Sequence, residues 1–291
     1  MAAGDLLTGD HQIEWRGLVL GASRLYGLKS LEGWVDLPPH RTGIEPRSGR
    51  HGAYAGQLLA DHRTVTASIL IRGLPDVFAE AVRELRRVTA SSESAPEEPL
   101  VVQWHGRKQM VMARCVRRTI PAEYASYPQG LAPASVQWVA SDPRQFELPS
   151  VLHQIGLAVA VGGLEFPLVF PLDFGLGTIE GSMLLTNSGN ADAWPIFSIT
   201  GPAPEPKIID TNTGKTLAFK NTTVIPGGET WEIDTNHRTV TLLGTNISKN
   251  AELLVRGWFP IPPGETHTIQ FVASAFDPAA QLSALVHNTD L

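Results

Sequence analysis

The stretch 184–206, LLTNSGNADAWPIFSITGPAPEP, most constrains what this chain can fold into. It reads as two β-strands joined by a polar corner. Leu184, Leu185 and Thr186 close one strand, and Asn187-Ser188-Gly189-Asn190 is a turn cluster, because Asn and Gly tolerate positive φ. Pro195 to Thr200 is rich in β-branched and aromatic residues, and a proline without an N–H suits the first position of a strand or an edge. Gly201-Pro202 stops the strand, and Pro204 and Pro206 keep the chain extended. The same strand, turn, strand pattern continues downstream. Strands are expected over 180–186, 207–210, 215–219, 230–234, 238–243, 251–259 and 267–276, with turns at 211–214 and 226–228. In 230–234, Trp231 and Ile233 face inward while Thr230, Glu232 and Asp234 face out. The run 166–174, FPLVFPLDF, carries two prolines and reads as an edge or lacing segment, and 277–291 as a short helix or tail. About ten short strands at even spacing are the signature of a β-sandwich.

Composition supports that reading. A chain of 291 residues with 27 Gly, 22 Pro and few long helical patterns favours many strands and turns over a bundle. Its 43% hydrophobic and 18% charged content is enough to bury a core. A net charge of −6 argues against a general nucleic-acid coat, which needs a basic face. The single cysteine, Cys115, excludes a disulfide within the chain and a cysteine-rich metal site, and its strand-like surroundings make it a small apolar core residue. No stretch reaches the ~18 apolar residues of a membrane span, and no N-terminal run pairs a charged start with an apolar core. The sequons at Asn221 and Asn246 are therefore expected to be unused.

The N-terminal half reads differently. Residues 11–20 form a first strand ended by Gly21, 26–33 a connector, and 34–37 a short strand cut by Pro38-Pro39. Residues 40–62, with five Arg or His before Gly52, are too long for an ordinary turn and read as a surface loop or an extended arm reaching a neighbouring subunit. In 65–71, Val65, Ala67, Ile69 and Ile71 share one face. Pro75 opens the one clear helix, whose stripe is Phe78, Ala81, Val82, Leu85 and Val88, with Glu80–Arg83 and Glu84–Arg87 pairs on the wet face. A hairpin is expected from 100–104 and 109–120 around Gly106, then a strand over 134–140. Arg114, Arg117 and Arg118 form a basic patch that reads as a solvated face or a subunit contact. The run 100–120 would be an unprotected edge in a monomer, with Val111, Ala113 and Val116 to be covered by a neighbour. Asp142-Pro143 ends the last strand, so domains are expected at 1–148 and 149–291.

Reactive chemistry is absent from the motifs. Gly214-Lys215-Thr216 imitates a phosphate loop, but Ile209 stands where the first Gly is needed. Ser23 and Ser188 both fail the G-x-S-x-G pattern. The nine histidines show no metal-ligand spacing, and Asp173, Asp210 and Asp234 read as turn or strand-end acids. No catalytic, cofactor-binding or metal residue is therefore assigned, no cofactor is expected, and the chain is not read as an enzyme. Trp194, beside an Asn-rich corner, is the candidate glycan contact, whereas Trp231 and Trp258 alternate like core residues.

Three ordered motifs carry a resemblance. They are T-N-S-G-N-x-x-x-x-P-x-x-x-I-x-G-P-x-x-x-P at 186–206, G-E-x-x-x-I-D-T at 228–235 and P-G-x-x-x-x-I-x-F at 263–271. Together they resemble the C-terminal domain of siphovirus distal tail proteins, and S-D-P-x-x-F at 141–146 is similar to the end of the N-terminal domain in phage tail-tip proteins. The resemblance implies a mainly β chain: an N-terminal β-rich ring domain with one helix, closed by a hairpin belt, and a C-terminal galectin-like β-sandwich. It further implies a homo-hexameric ring at the distal end of the virion tail, made in the host cytoplasm and joining the tail tube protein to a tip hub or tail-associated protein. A receptor-binding protein or a host glycan would be a further partner, and genome DNA would pass only in transit through the lumen. The alternative is a carbohydrate-binding module or adhesin for host cell-wall glycans. The N-terminal half favours the ring, because a free-standing lectin does not need it.

Overall fold

A computed structural model describes residues 2–121, 127–158 and 181–291. The element 166–174 and Asp173 lie outside the described residues. The chain is mainly β and divides into two compact units, Met1–Leu148 with Asp290–Leu291, and Pro149–Thr289. Each is taken by itself.

In the first unit, β1 (Gln12–Trp15) and β2 (Leu18–Leu20) form a hairpin, where one strand was expected. The reason is local: Arg16 and Gly17 both take positive φ, 48° and 78°, and turn the chain in two residues. β3 (Tyr26–Glu32) replaces the expected connector, and the expected strand over 34–37 is a bend. Next comes an arm built from β4 (His40–Thr42), β5 (Glu45–Pro46), β6 (Ala53–Tyr54) and β7 (Leu58–Ala60). β4 pairs β7 and β5 pairs β6. β8 (Arg63–Arg72) buries Val65, Ala67, Ile69 and Ile71 on one face. The helix α1 (Pro75–Val88) buries the predicted stripe of Phe78, Ala81, Val82, Leu85 and Val88. β9 (Glu98–Trp104) and β10 (Arg107–Thr119) turn at His105-Gly106, again both at positive φ. β11 (Leu131–Ala140) and β12 (Gln145–Leu148) follow.

The strand order is β2-β1-β9-β10-β11-β8-β3. β10 is therefore not an unprotected edge. It pairs β9 over Arg107–Ala113 and β11 over Arg114–Thr119, with β12 beside Lys108–Met110. Val111 and Ala113 are already buried in the unit's own core. Val116 alone stays out, 54% exposed, because the register shift between Cys115 and Arg117 breaks the alternation there. Cys115 is buried in the same core, and burial pushes its thiol up from the ordinary value.

Two aromatic hydrogen bonds tie α1 to the sheet: Trp15 Nε1 donates to Val88 O at 2.9 Å and Tyr26 Oη to Ala81 O at 2.8 Å. Burial pushes the Tyr26 phenol up to about 12, above its ordinary 10.0. The folded state thus favours the neutral phenol. That contribution is full below pH ~10 and is lost as pH rises through the folded value near 12. Tyr26→Phe is expected to cost about 1 kcal/mol at pH 7 and to lessen the alkaline loss. Urea denaturation at pH 7 and pH 11 checks this; an unchanged alkaline slope would count against it.

The second unit packs two antiparallel sheets around one core. One runs Val151–Gly156, Gln281–Val286, Ile196–Thr200, Thr230–Asp234, Thr239–Leu242; the other runs Ser182–Thr186, Thr266–Val272, Lys207–Asp210, Thr216–Phe219, Leu253–Arg256. Phe197, Phe219, Phe259, Phe271, Trp231 and Ile233 lie in that core, so Trp231 and Ile233 face inward as predicted. The expected helix or tail over 277–291 is instead the strand Gln281–Val286 and the short strand Thr289–Asp290. Leu282, Ala284 and Val286 fill the core from it.

The corner at 187–190 is tighter than a turn cluster. Asn187 has no exposure, and its side chain makes four hydrogen bonds. Nδ2 donates to Ala191 O and Ile261 O at 2.7 and 3.0 Å; Oδ1 accepts from the N–H groups of Gly189 and Thr289 at 3.1 and 3.2 Å. Gly189 is required by space, since a Cβ there would sit 2.0 Å from Thr289 O.

Candidate functional site

Two features of the first unit stand out as surfaces for other molecules. The first is the arm. Every residue over 41–59 is exposed, including Ile44 at 59%, Tyr54 and Leu58 at 63% and Leu59 at 50%. A two-stranded ribbon with large apolar side chains in water has no core of its own. Its root is fixed firmly: Asp61 N donates to Pro39 O at 2.7 Å, and the Arg63 side chain donates to the carbonyls of Gly33, Trp34 and Asp36 just before the arm.

The second is a cleft of about 570 Å³ between the C-terminal end of α1 and the end of β10. Arg83, Arg86 and Arg87 enter it from the helix, and Arg117 and Arg118 from the strand; among the described residues no Asp or Glu lines it. Its geometry follows from how the helix ends. The last carbonyls of a helix lack internal donors and attract cations. Arg118 Nη1 donates to Arg86 O at 3.0 Å and to Thr89 Oγ1 at 2.8 Å. Arg16 Nη1 donates to Ala90 O at 2.8 Å, and Glu98 beside it holds its guanidinium above the usual arginine value. Two cations thus close the helix end. Arg83 and Arg87 are paired on the surface with Glu80 and Glu84. The side chains of Arg86 and Arg117 are exposed and have no hydrogen-bond or ion-pair partner among the described residues.

The predicted patch is therefore divided. Arg117 and Arg118 join three helix arginines, Arg118 is engaged inside its own unit, and Arg114 lines a smaller neighbouring cleft with Arg16. The helix arginines were not foreseen as part of the patch. Nothing local announces it, because more than two dozen residues separate the two groups along the chain. In the second unit Trp194 is half-buried, between Ala193, which bridges Ile261, and Pro195. Asp234 holds the His237 N–H at 2.8 Å, a turn role, while Asp210 is fully buried against His267. Among the described residues, no group of three His, Cys, Asp or Glu is placed to hold a metal ion, and no helix is long and apolar enough to cross a membrane.

The sandwich decides what the chain is similar to. Residues 188–278 match a family model described as "Siphovirus-type tail component, C-terminal domain". The motifs at 228–235 and 263–271 lie inside that match, and the one at 186–206 begins two residues before it. The fold extends the likeness to the whole chain. The Dit (gp 19.1) protein of phage SPP1, described as a paradigm of hub adsorption apparatus in phages infecting Gram-positive bacteria, superposes with a TM-score of 0.65 at 12% identity, over 96% of this chain and 99% of that one. The phage P2 baseplate in its activated conformation with calcium gives a TM-score of 0.45 at 11% identity, over 87% of this chain and 92% of that one. No curated protein matches the sequence.

Proposed function

We propose that this chain is a structural component of a long-tailed phage tail tip, located at the distal end of the tail and built as a homo-hexameric ring. The ring joins the tail tube to the tip hub and its host-recognition apparatus, with the genome passing only through the lumen. The observation that carries the reading is the siphovirus tail-component match over residues 188–278, set in a chain whose whole fold follows a phage hub protein. The reading assigns the sandwich a structural role and no catalysis. Subunits meet through the arm: a heterologous contact, one patch against a different patch on the next copy, closes into a ring. Covering Ile44, Tyr54, Leu58 and Leu59 on a neighbour removes from water the large apolar side chains that the arm leaves exposed.

Cryo-electron microscopy of the intact tail tests the reading. Six copies are expected around the axis between the last tube ring and the tip. Density for this chain on the capsid, or on a peripheral fibre, would overturn it. Replacing residues 43–57 by a short Gly-Ser linker is expected to leave a folded protein that no longer enters tails; normal tails from that variant would show that the arm is not the ring contact.

A further inference from the structure

We propose that the arginine cleft at the end of α1 is a binding site for an acidic polypeptide segment, a run of Asp or Glu side chains on another protein. The proposal stands on the cleft alone and does not depend on the tail-tip reading.

Five guanidinium groups from two elements converge on one recess, and among the described residues no carboxylate lines it. Three have work within the unit: Arg118 closes the helix end, and Arg83 and Arg87 hold surface pairs with Glu80 and Glu84. The other two, Arg86 on the helix and Arg117 on the strand, have no such partner among the described residues. Like charges gathered in one recess repel, and a bound anion relieves this; the planar guanidinium fork suits a carboxylate in particular. The helix end itself does not repel the anion, because Arg16 and Arg118 already cover its carbonyls.

The lining selects polypeptide over nucleic acid. Among the described residues no Phe, Tyr, Trp or His lines the cleft, and those residues offer no platform on which a base could stack. The chain carries a net −6, which opposes a long polyanion. Between the arginines lie Ala90 and the exposed Val116, a small apolar floor that suits the stems of Glu side chains. The volume falls in the range of ordinary ligand sites.

The test is fluorescence anisotropy of a labelled hexa-glutamate peptide titrated with the full chain at low ionic strength. Saturable binding that weakens with added salt is expected. Arg86→Ala combined with Arg117→Ala should weaken it by about tenfold or more. Both side chains are exposed and make no bond to another described residue, so the variant should keep the wild-type circular dichroism. The control pair Arg47→Ala and Arg50→Ala, on the arm, should leave binding unchanged. A labelled oligo-dT of equal charge should bind more weakly than the peptide. The proposal fails if the peptide does not saturate, if the arm control loses as much as the cleft variant, or if oligo-dT binds more tightly and loses equally in the cleft variant.

Discussion

Replacing Arg63 by methionine is expected to destabilise the first unit by about 3–5 kcal/mol, near the upper end for a single substitution. Arg63 is 1% exposed and sits where β8 leaves the arm. Among the described residues its guanidinium hydrogen-bonds to backbone carbonyls. Nε donates to Pro143 O at 2.8 Å, and Nη1 reaches Gly33 O, Trp34 O and Asp36 O at 2.8, 3.0 and 2.9 Å. Burial pushes its pKa below the usual arginine value, and Asp36 works the other way. Methionine keeps most of the volume and removes every donor. Trp34 O retains one donor, Gln145 Nε2 at 2.9 Å, but the remaining acceptors lose the Arg63 bonds that satisfy them. Lysine should recover little, because one ammonium cannot span the same set of acceptors. The loss is a large share of the 5–15 kcal/mol that a domain has. Urea denaturation of the full chain, with hydrogen exchange read over 26–72, measures it. A cost below about 1 kcal/mol would show that water replaces the guanidinium without penalty. Because the same bonds root the arm, exchange should also rise over 33–42 before global unfolding.

Arg63 shows why part of the fold was legible in the sequence and part was not. Where one face of an element is buried and the other wet, the period is written in the residues. Val65, Ala67, Ile69 and Ile71 announce β8, and Phe78 to Val88 announce α1. Gly106 announced the β9–β10 turn. β3 was missed because its residues, YGLKSLE, are mostly half-buried and do not alternate. The arm was left between loop and arm because strands with no core to face have no apolar alternation to show. Arg16 at positive φ gave no turn signal, since the residue type seldom takes that conformation. Asn187 was read for its backbone tolerance, yet it works through its side chain, between segments that meet only in the fold. The cleft was invisible for the same reason: Arg118 reaches the end of α1 only after β10 has crossed beside it. The sandwich, by contrast, was legible in its motifs, and they mark the part of the chain that matches a family.

In the second unit the largest effect is expected at Asp210 and His267. His267 lies on the inward face of its strand with Ile269 and Phe271, where alternation calls for an apolar residue. It is 1% exposed, Asp210 has no exposure at all, and Nδ1 lies 2.9 Å from Asp210 Oδ2. On its other side Nε2 lies 2.9 Å from Glu265 Oε2. Asp210 also organises the hairpin that follows it, accepting from Asn212 N at 3.0 Å and from Thr213 Oγ1 at 2.5 Å. Every polar atom in the cluster therefore depends on the others. Asp210→Ala should cost about 3–5 kcal/mol, because it strands a buried imidazole as well as loosening the turn. Asp210→Asn keeps one acceptor oxygen and should cost less than half as much. His267→Leu alone strands the carboxylate and should be similarly harmful. The double variant Asp210→Ala, His267→Leu leaves neither partner stranded, so it should be more stable than the sum of the two single losses predicts. A coupling of at least about 1.5 kcal/mol between the sites is expected. The measurement is a double-mutant cycle by urea denaturation of the full chain, followed by hydrogen exchange read over 207–219 and 266–272. Strict additivity would mean that each residue acts on the sheet separately, and that the contact between them contributes nothing to holding the two strands together.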